Sequence, residues 1–371
     1  MTRARTLANL ITDNIVALDR KTATPLIITG DMQIAQRATS VTGKTSGDIY
    51  TVDRFKQDIG SMGTWSISQA TDSPTGQGFN KSMKMDCTTA DASPASSDNL
   101  IFQTSLEGQD LQLLKKGTSS AESVTFSFWV KSAKTGTYIL ELWDRDNDRQ
   151  IAQSYTISSA DTWEKKVLSF AGDTTGALDN DNAKSLTISW WLGAGTDFTS
   201  GTLHTSWTSR TNANRAVGQV NLADSTSNDW YITGIQMEVG SFDSNTIPNF
   251  HFEDVCTSLT RCQRYYYMHV NEASKNIAPG GYYSANIFAT TIPYPVTMRS
   301  APSVDKVVGT GFFNVLANNT ADACDDFDAP RISTTCCAID FTTGVSGTQG
   351  HGGVVATGTD SSVQIAFDSE L

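Results

Sequence analysis

The chain is short of charge, and of positive charge in particular. Only 18% of its 371 residues are charged, and the formal net charge is −12. Soluble domains usually carry about a quarter charged residues, and this composition, rich in Ser, Thr, Asn, Asp and Gly, does not suit a helical bundle. The acidic balance argues against nonspecific binding to nucleic acid or to an anionic membrane, because both need a basic face. No run of 18 apolar residues occurs, so we expect no membrane insertion.

Sequence motifs of known catalytic sites are also missing. The four histidines, at positions 204, 251, 269 and 351, are isolated from one another, and no G-x-S-x-G, H-E-x-x-H or P-loop pattern is present. A glycosidase needs two opposed carboxylates, but with 39 acidic residues some pair will always lie at a suitable distance. We therefore expect a protein without catalytic activity.

The six cysteines lack the spacing of a zinc site or of a disulfide framework. They are Cys87, Cys256, Cys262, Cys324, Cys336 and Cys337, and no C-x-x-C pair occurs among them. Cys336 and Cys337 are adjacent and would point to opposite sides of a strand. A chain of this length can bury a sizeable core without cross-links, so we expect most of the thiols to be reduced and buried.

What the chain does have is a strong two-residue alternation of apolar and polar side chains. In the segments 124–130 and 186–192 every second residue is large and apolar, which is typical of half-buried strands. A third run predicts one buried face from Tyr231, Thr233, Ile235, Met237 and Val239. Gly, Asp and Asn fill the turns between strands, as at 134–136, 171–176 and 179–182. Many short strands with such turns predict a β-sandwich or a jelly roll.

One short helix interrupts the strand pattern. Val255, Leu259, Cys262 and Tyr266 recur at intervals of four, three and four residues, the spacing of one helical face. We predict a helix over 254–264 and a new strand that starts at 265–267. The helix would separate a large sandwich from a smaller C-terminal β-domain.

The turn after residue 143 carries three alternating carboxylates, Asp144, Asp146 and Asp148. Oxygen ligands at i, i+2 and i+4 begin the loops that bind calcium, so these residues are a candidate site for a structural calcium ion. The glycine and the distal glutamate of an EF-hand are missing, and a solvated hairpin turn is the alternative interpretation. No other cofactor is expected.

Aromatic side chains are the best candidates for contact with a sugar. A pyranose ring stacks on a planar aromatic face, and amide or carboxylate groups bind its hydroxyls. Trp191 directly follows Trp190, so one indole of the pair should point away from the core, and Trp207 lies in the polar stretch 203–210. We predict Trp191 and Trp207 as sugar contacts; for Trp191, a subunit interface is the alternative.

Several motifs in the C-terminal part resemble those of tail-fibre and appendage proteins of tailed bacteriophages. The motif FHFE at 250–253 leads to CQRYYY at 262–267, which resembles the "CQRYY" junction of these proteins. The stretch PYPVTMRSAP at 293–302 resembles a P-x-P-V-x-M-R-x-x-P strand of their C-terminal domains. The final FDSEL at 367–371 resembles their acidic D-x-E-L ending.

The central part resembles the carbohydrate-binding-module-like sandwich of the same proteins. The resemblance is carried by SFWVKS at 127–132, DTWEK at 161–165 and ITGIQMEVG at 232–240. The segments 32–37 and 50–55 resemble the first strands of that domain.

The alternation and the resemblance together imply an all-β chain: a jelly-roll-like β-sandwich, a short helix and a smaller C-terminal β-domain. The expected boundaries are 1–26 for an N-terminal leader, 27–252 for the sandwich, 253–267 for the helical junction and 268–371 for the C-terminal domain.

In this family the first residues attach the fibre to the virion, and the distal domain meets the host. The resemblance therefore implies that the leader binds other virion proteins, of the tail or the capsid, and that C-terminal loops contact a host-surface glycan or protein. The candidate attachment residues are Arg3, Arg5, Leu7, Leu10 and Ile11, and the candidate receptor contacts are Tyr282, Tyr283 and His351. The resemblance also implies a homotrimer, as is general for such fibres.

The expected function is that of a structural virion protein, a tail fibre that attaches by its N-terminus and recognises the host surface without catalysis. A capsid head fibre or decoration protein with the same fold is one alternative, and a carbohydrate-active enzyme or its binding module is another. The N-terminus lacks the apolar core and cleavage site of a secretory signal. This pattern fits assembly in the host cytoplasm and a final location in the virion.

Overall fold

Strands account for most of the regular structure in residues 21–371, the part of the chain that the computed structural model describes. The chain divides into two units: the first ends at Val255, and the second covers Cys256–Glu370. The boundary lies inside the predicted junction 253–267. The prediction of an all-β protein is confirmed. No helix among the described residues is long and apolar enough to cross a membrane.

The described part of the first unit is a sandwich of antiparallel strands. They are β1 (Ser40–Tyr50), β2 (Lys56–Ala70), β3 (Ser82–Thr89), β4 (Asn99–Glu107), β5 (Val124–Ser132), β6 (Gly136–Asp144), β7 (Arg149–Ile157), β8 (Glu164–Phe170), β9 (Lys184–Ala194), β10 (Thr208–Ser209) and β11 (Asp229–Val239). Their order in space is β10-β7-β6-β9-β4-β2-β3-β11-β5-β8, and β1 pairs with β2. Short helices lie in the connections, at Gly108–Leu114, Thr196–Thr199, Asn212–Asn214 and Leu222–Asp224.

Strand β2 joins the two layers because its two halves pair with different neighbours. Residues 56–61 pair with β4, and residues 64–70 pair with β3. The strand bends between these halves, where Ser61 and Gly63 have φ angles of 59° and 74°. A Cβ atom at Gly63 would lie 2.7 Å from the carbonyl oxygen of Thr89. Glycine is therefore required at this bend, both for its conformation and for the close approach of the chain.

The apolar face of each strand points into one core between the two layers. The alternation predicted for 124–130 and 186–192 is confirmed, and Phe126, Phe128 and Trp190 are fully buried. Burial of a side chain of this size stabilises the fold by about 2 to 3 kcal/mol.

Strand β11 departs from the predicted alternation. Its pairing with β5 shifts between Thr233 and Gln236, and Gly234 has a φ of 64°, which together mark a β-bulge. Before the bulge, Trp230 lies in the core and Tyr231 lies on the opposite face. The prediction that Tyr231 and Thr233 share the core face with the later residues is wrong, because one inserted residue reverses the alternation.

The first strands of the sandwich do not lie where the resemblance implied. Residues 32–37 form turns and irregular structure, and 50–55 span the turn between β1 and β2. Arg54 in that turn has a φ of 68°. Strand β1 was not predicted, because most of its residues are exposed and it therefore lacks the alternation that marks a half-buried strand.

A helix, Val255–Gln263, opens the second unit and lies within the predicted range 254–264. A small β-domain follows, with its own apolar core. Its described strands are β12 (Tyr266–Val270), β13 (Asn276–Ser284), β14 (Ile287–Pro293), β15 (Ser303–Val307), β16 (Phe313–Ala317), β17 (Thr320–Cys324), β18 (Phe327–Ile332), β19 (Cys336–Phe341), β20 (Gly352–Thr357) and β21 (Gln364–Asp368). They form a sheet in the order β12-β21-β15 and a larger sheet in the order β17-β16-β20-β13-β14-β19-β18.

The stretch 293–302 is not the strand that the resemblance implied. Strand β14 ends at Pro293, and β15 begins at Ser303. Prolines at 293, 295 and 302 remove three backbone donors from this stretch, so it cannot form a regular ladder.

No disulfide forms among the six cysteines, all of which lie within the described residues, and Cys87, Cys262, Cys324 and Cys337 are buried. Burial raises the pKa of the Cys87, Cys324 and Cys337 thiols to about 11. These thiols therefore stay protonated and unreactive at neutral pH.

Candidate functional site

Alternate residues of β2, β4, β9 and β6 build the outer face of one layer. The strand registers place two rows of neighbours there: Lys56, Gln103, Ser189 and Glu141 in one row, and Asp58, Ile101, Trp191 and Ile139 in the other. Because successive side chains of a strand point to opposite faces, Trp190 lies in the core and Trp191 lies on this outer face.

The segment 195–216 covers one end of the outer face. The ring of Phe198 packs on Trp191, with 5.2 Å between ring centres. Arg215 donates two hydrogen bonds to Glu141, at 2.8 and 2.9 Å, and the Trp191 indole nitrogen donates to the same carboxylate at 2.9 Å. Glu141 is fully buried and Arg215 nearly so, so each charge depends on the other for compensation.

Because the segment 195–216 covers Trp191, the prediction that this residue contacts a sugar is corrected. The indole points away from the core, as predicted, but its exposed fraction is 0%. A sugar therefore has no free face to stack on. The residues that cover it, Phe198 and Arg215, lie in an irregular segment whose path the strand pattern does not define.

The uncovered end of the same face is an open groove of about 170 Å³. Along one wall, the amide nitrogens of Asn99 and Gln103 each lie 3.4 Å from the Asp58 carboxylate. Other side chains in the groove are Lys56, Trp143, Arg145, Lys184, Thr187 and Arg215. The hydrogen bonds to Asp58 are long, so amide and carboxylate groups on this wall can still bind the hydroxyls of a ligand.

Trp143 stands in this groove and was not predicted as a site residue. The guanidinium carbons of Arg145, Arg210 and Arg215 lie 3.6, 4.2 and 5.0 Å from its ring centre. Its indole nitrogen donates to Asp148 at 3.1 Å. These cation–π contacts cover the ring, so the groove offers guanidinium groups to a ligand rather than a bare aromatic face.

The carboxylates of the predicted calcium turn do not converge on one point. Buried Asp144 accepts the backbone N–H of Asp146 at 3.0 Å, and Asp146 accepts the N–H of Asp179 at 2.9 Å. Asp148 accepts a hydrogen bond from Arg210 at 2.7 Å, and this bond holds its pKa below the ordinary value. No group of three metal-binding side chains occurs within residues 21–371. The predicted set Asp144, Asp146 and Asp148 is therefore a turn and not a ligand set.

A lysine ammonium occupies the place that the sequence suggested for calcium. The Nζ atom of Lys116 lies 2.5 Å from Asp144 and 3.1 Å from Asp173, and it donates to the carbonyl oxygens of Thr175 and Gly176 at 3.0 and 2.8 Å. The side chains of all three charged residues are at most 5% exposed. Of the three predicted ligands, Asp144 is thus bound to a covalently attached cation.

Asp173 has a second cationic partner, Arg149, which donates to it at 2.7 and 3.1 Å. Burial by itself raises the pKa of this carboxyl, but the hydrogen bonds from Arg149, the Thr175 amide and Lys116 lower it overall. A carboxyl whose pKa is lowered in the folded state stabilises the fold above its ordinary pKa, and that contribution is lost as the pH falls through the folded value.

Trp207 lies over this lysine and not on an open surface. Its ring is half-buried and packs against the core, its indole nitrogen donates to the Ala171 carbonyl at 2.8 Å, and Lys116 lies 5.4 Å from its ring centre. The structure therefore gives Trp207 a packing role, and it does not bring Trp207 together with Trp191.

A second groove, of about 300 Å³, lies on the first unit and includes Trp129 and Lys165. Phe79, Phe250 and Phe252 line it as a cluster, with ring centres 4.8 to 5.0 Å apart. Phe250 and Phe252 belong to the FHFE motif, which thus packs its aromatic residues against Phe79.

In the second unit, three motifs that are far apart in sequence meet. The backbone N–H of Arg299 donates to Arg264 and that of Ser369 donates to Tyr265, both at 2.8 Å. The Arg299 guanidinium donates to the carbonyl oxygens of Ser369 and Glu370 at 2.7 and 3.1 Å. The CQRYY, MR and DSEL motifs therefore form one structural lock, which we call the Arg299 lock.

The predicted receptor contacts of the second unit separate into buried and exposed side chains. Tyr282 is only 5% exposed and packs edge-on against Phe288, whereas Tyr283 is 73% exposed. His351 is exposed and hydrogen-bonded to Asn318. The Tyr282 N–H donates to the His351 carbonyl at 2.9 Å, so the two loops are adjacent. Tyr283 and His351 are available for a contact, and Tyr282 is not.

The predicted attachment residues Arg3, Arg5, Leu7, Leu10 and Ile11 lie outside the described residues.

No protein-family model and no curated protein matches this chain. Among solved structures, the chain is similar to the enzymatically active domain of tailspike protein 4 from bacteriophage CBA120, at 12% identity and a TM-score of 0.30 over 56% of this chain and 22% of that one. It is also similar to a CBM4 structure, at 9% identity and a TM-score of 0.29 over 57% of this chain and 97% of that one. A third similar structure is the family 11 carbohydrate-binding module from Clostridium thermocellum in complex with a beta-1,3-1,4-mixed-linked tetrasaccharide. The identity is 14% and the TM-score is 0.28, over 55% of this chain and 98% of that one. The chain spans about a fifth of the tailspike structure, and likenesses at these TM-scores carry no inference about ligand or role.

The Lys116 site provides the first testable prediction. Lys116→Met should lower the free energy of unfolding of the first unit by about 3 kcal/mol, because it leaves Asp144 without its buried countercharge. Lys115→Met is the matched control; that side chain is 54% exposed, and its loss should cost less than about 1 kcal/mol. Urea titration followed by tryptophan fluorescence measures both, since all eight tryptophans lie in the first unit. Equal stabilities of the two variants, or a lower Tm of the wild type in EDTA, would contradict this account.

The Arg299 lock provides the second testable prediction. Arg299→Ala should destabilise the second unit by about 2 kcal/mol, because two carbonyl groups lose a charged donor. Arg331→Ala is the control, since Arg331 is exposed on β18 of the same unit. Hydrogen exchange of peptides from β12 and β21 is the measurement, because no tryptophan reports on this unit. If exchange in these strands is as slow in Arg299→Ala as in the control, the motifs do not form a lock.

Proposed function

We propose that this chain is a structural subunit of a tailed-bacteriophage virion, a tail fibre that attaches through residues 1–26 and recognises a host-surface glycan or protein. The virion role is supported by the resemblance of the CQRYY, MR and DSEL motifs to those of phage appendage proteins. The Arg299 lock adds a physical reason for these motifs to occur together, since each one supplies a partner to the others.

The observation that carries the recognition role is the open groove beside Trp143. It lies on the outer face of a sheet, where strands fix the positions of the side chains, and its wall presents Asn99, Gln103 and Asp58. Planar amides and a carboxylate on a rigid surface are suited to binding the hydroxyls of a saccharide.

We propose recognition without catalysis. A glycosidase places two carboxyl groups on opposite sides of the scissile bond, and Asp58 is the single carboxylate among the residues that line the groove. The neighbouring Glu141 is bound by Arg215 and Trp191. Its two oxygens are therefore engaged in holding the cover over the sheet.

The proposal of a homotrimer rests on the resemblance to phage fibres, and a few exposed apolar side chains are available to a subunit interface. Phe252 and Val255 in the first unit, and Val307 and Leu316 in the second, are 40 to 59% exposed. Apolar residues at the surface are characteristic of subunit interfaces when they are grouped. Exposed Tyr283 and His351 remain available as a second receptor contact.

Immunogold labelling of phage particles that encode this chain tests the virion role. We expect label at the tail of wild-type particles, and no label on particles whose chain lacks residues 1–20, because all five proposed attachment residues are gone. The truncated chain keeps Lys21 and its ion pair with Glu122, as well as Leu26, which packs against the core, so it should still fold.

Circular dichroism of the truncated chain provides the control for folding. Label on the head of wild-type particles would favour the capsid decoration protein, and particles without any label would contradict a virion role. Normal incorporation of the truncated chain would contradict attachment through the leader.

A further inference from the structure

We propose that the groove beside Trp143 binds an anionic saccharide, one that carries a carboxylate or a phosphate group on its ring. This inference rests on the proposed recognition of a glycan and specifies the chemical class of that glycan.

The charges that line the groove are mainly positive, although the whole chain has a net charge of −12. Four cations line it, Lys56, Arg145, Lys184 and Arg215, against one carboxylate, Asp58. Three of these cations have partners of their own: Lys56 is paired with Asp48 at 2.9 Å, Arg215 is paired with Glu141, and Lys184 also has a partner. A patch of positive charge on an acidic protein is a specific feature that raises the local concentration of anions.

Arg145 is the cation best placed to bind an anion. Its side chain is exposed, and no carboxylate of the described residues lies within ion-pair distance of its guanidinium group. The Trp143 ring, 3.6 Å away, fixes the position of the guanidinium plane. A guanidinium group held in this way can donate two parallel hydrogen bonds to a carboxylate or a phosphate.

The surroundings of Arg145 have a positive potential. Burial and the charges of Arg210 and Arg215 lower the pKa of Arg145, and Asp148 offsets this only in part. The part of this effect that comes from Arg210 and Arg215 is a repulsion between like charges, and a bound anion would offset it.

The opposite wall explains why the ligand is a saccharide and not a small inorganic anion. Asn99 and Gln103 lie across the groove with their amides directed at Asp58, and the volume of about 170 Å³ exceeds what one carboxylate or phosphate group needs. The hydroxyls of a sugar ring can bind to this amide wall while its charged group binds to Arg145.

Affinity electrophoresis of the full chain in gels that contain polygalacturonate, phosphomannan or neutral dextran tests the inference. We expect retardation by one or both anionic polymers and little by dextran, and a loss of retardation as NaCl rises from 50 to 300 mM. Arg145→Gln should weaken binding to the anionic polymer at least tenfold, because a hydrogen bond between charged groups is lost. Arg145→Lys should lose less, since the charge remains.

Two further variants show whether binding depends on a positive charge in the groove or on the net charge of the whole protein. Arg331→Gln removes the same charge from an exposed site in the second unit, and its affinity should stay within twofold of the wild type. Lys275→Gln, at a second exposed site of the same unit, should likewise leave the affinity within twofold of the wild type. If Arg145→Gln binds as tightly as the wild type, or if dextran retards the protein as much as the anionic polymers do, the proposal of an anionic ligand is wrong. The proposal of glycan recognition would still stand. No retardation by any of the three polymers would contradict glycan recognition itself, and the anionic ligand with it.

Discussion

Strand β9 pairs with β4 on one side and with β6 on the other, and both of its faces are buried. One face belongs to the sandwich core through Trp190, and the other is closed by Phe198 and Arg215, which cover Trp191. Because the cover spans only part of the sheet, the remaining part is left as a groove with a rigid floor. The position of every groove residue on β4 and β6 follows from its register with this one strand.

Buried ion pairs hold the irregular segments in place around this sheet. Lys116 binds the turn that contains Thr175 and Gly176 to Asp144, and Arg215 binds the segment 195–216 to Glu141. In both cases the carboxylate lies on β6, and the cation comes from a connection between strands. A buried charge without its partner costs several kcal/mol, so each pair specifies one position for its connection.

The sequence was sufficient to predict what depends on local pattern and not what depends on contacts between distant segments. The alternation at 124–130 and 186–192 and the helix near 254–264 were predicted correctly, because strand and helix periodicities are local. Tyr231 was placed on the wrong face, since a bulge at Gly234 changes the alternation without changing the composition. Trp191 and the three aspartates at 144, 146 and 148 fit a sugar contact and a metal site by residue type. Their partners, Phe198, Arg215 and Lys116, are supplied by segments that no local pattern connects to them.

Hydrogen exchange of the full chain, with and without a polymer that it binds, tests most directly whether the groove is the recognition site. The account predicts slower exchange in peptides that cover 99–105, 143–145 and 184–187, with no change around Phe79 and Phe252. Protection confined to the Phe79 groove or to the second unit, with the groove peptides unchanged, would contradict it.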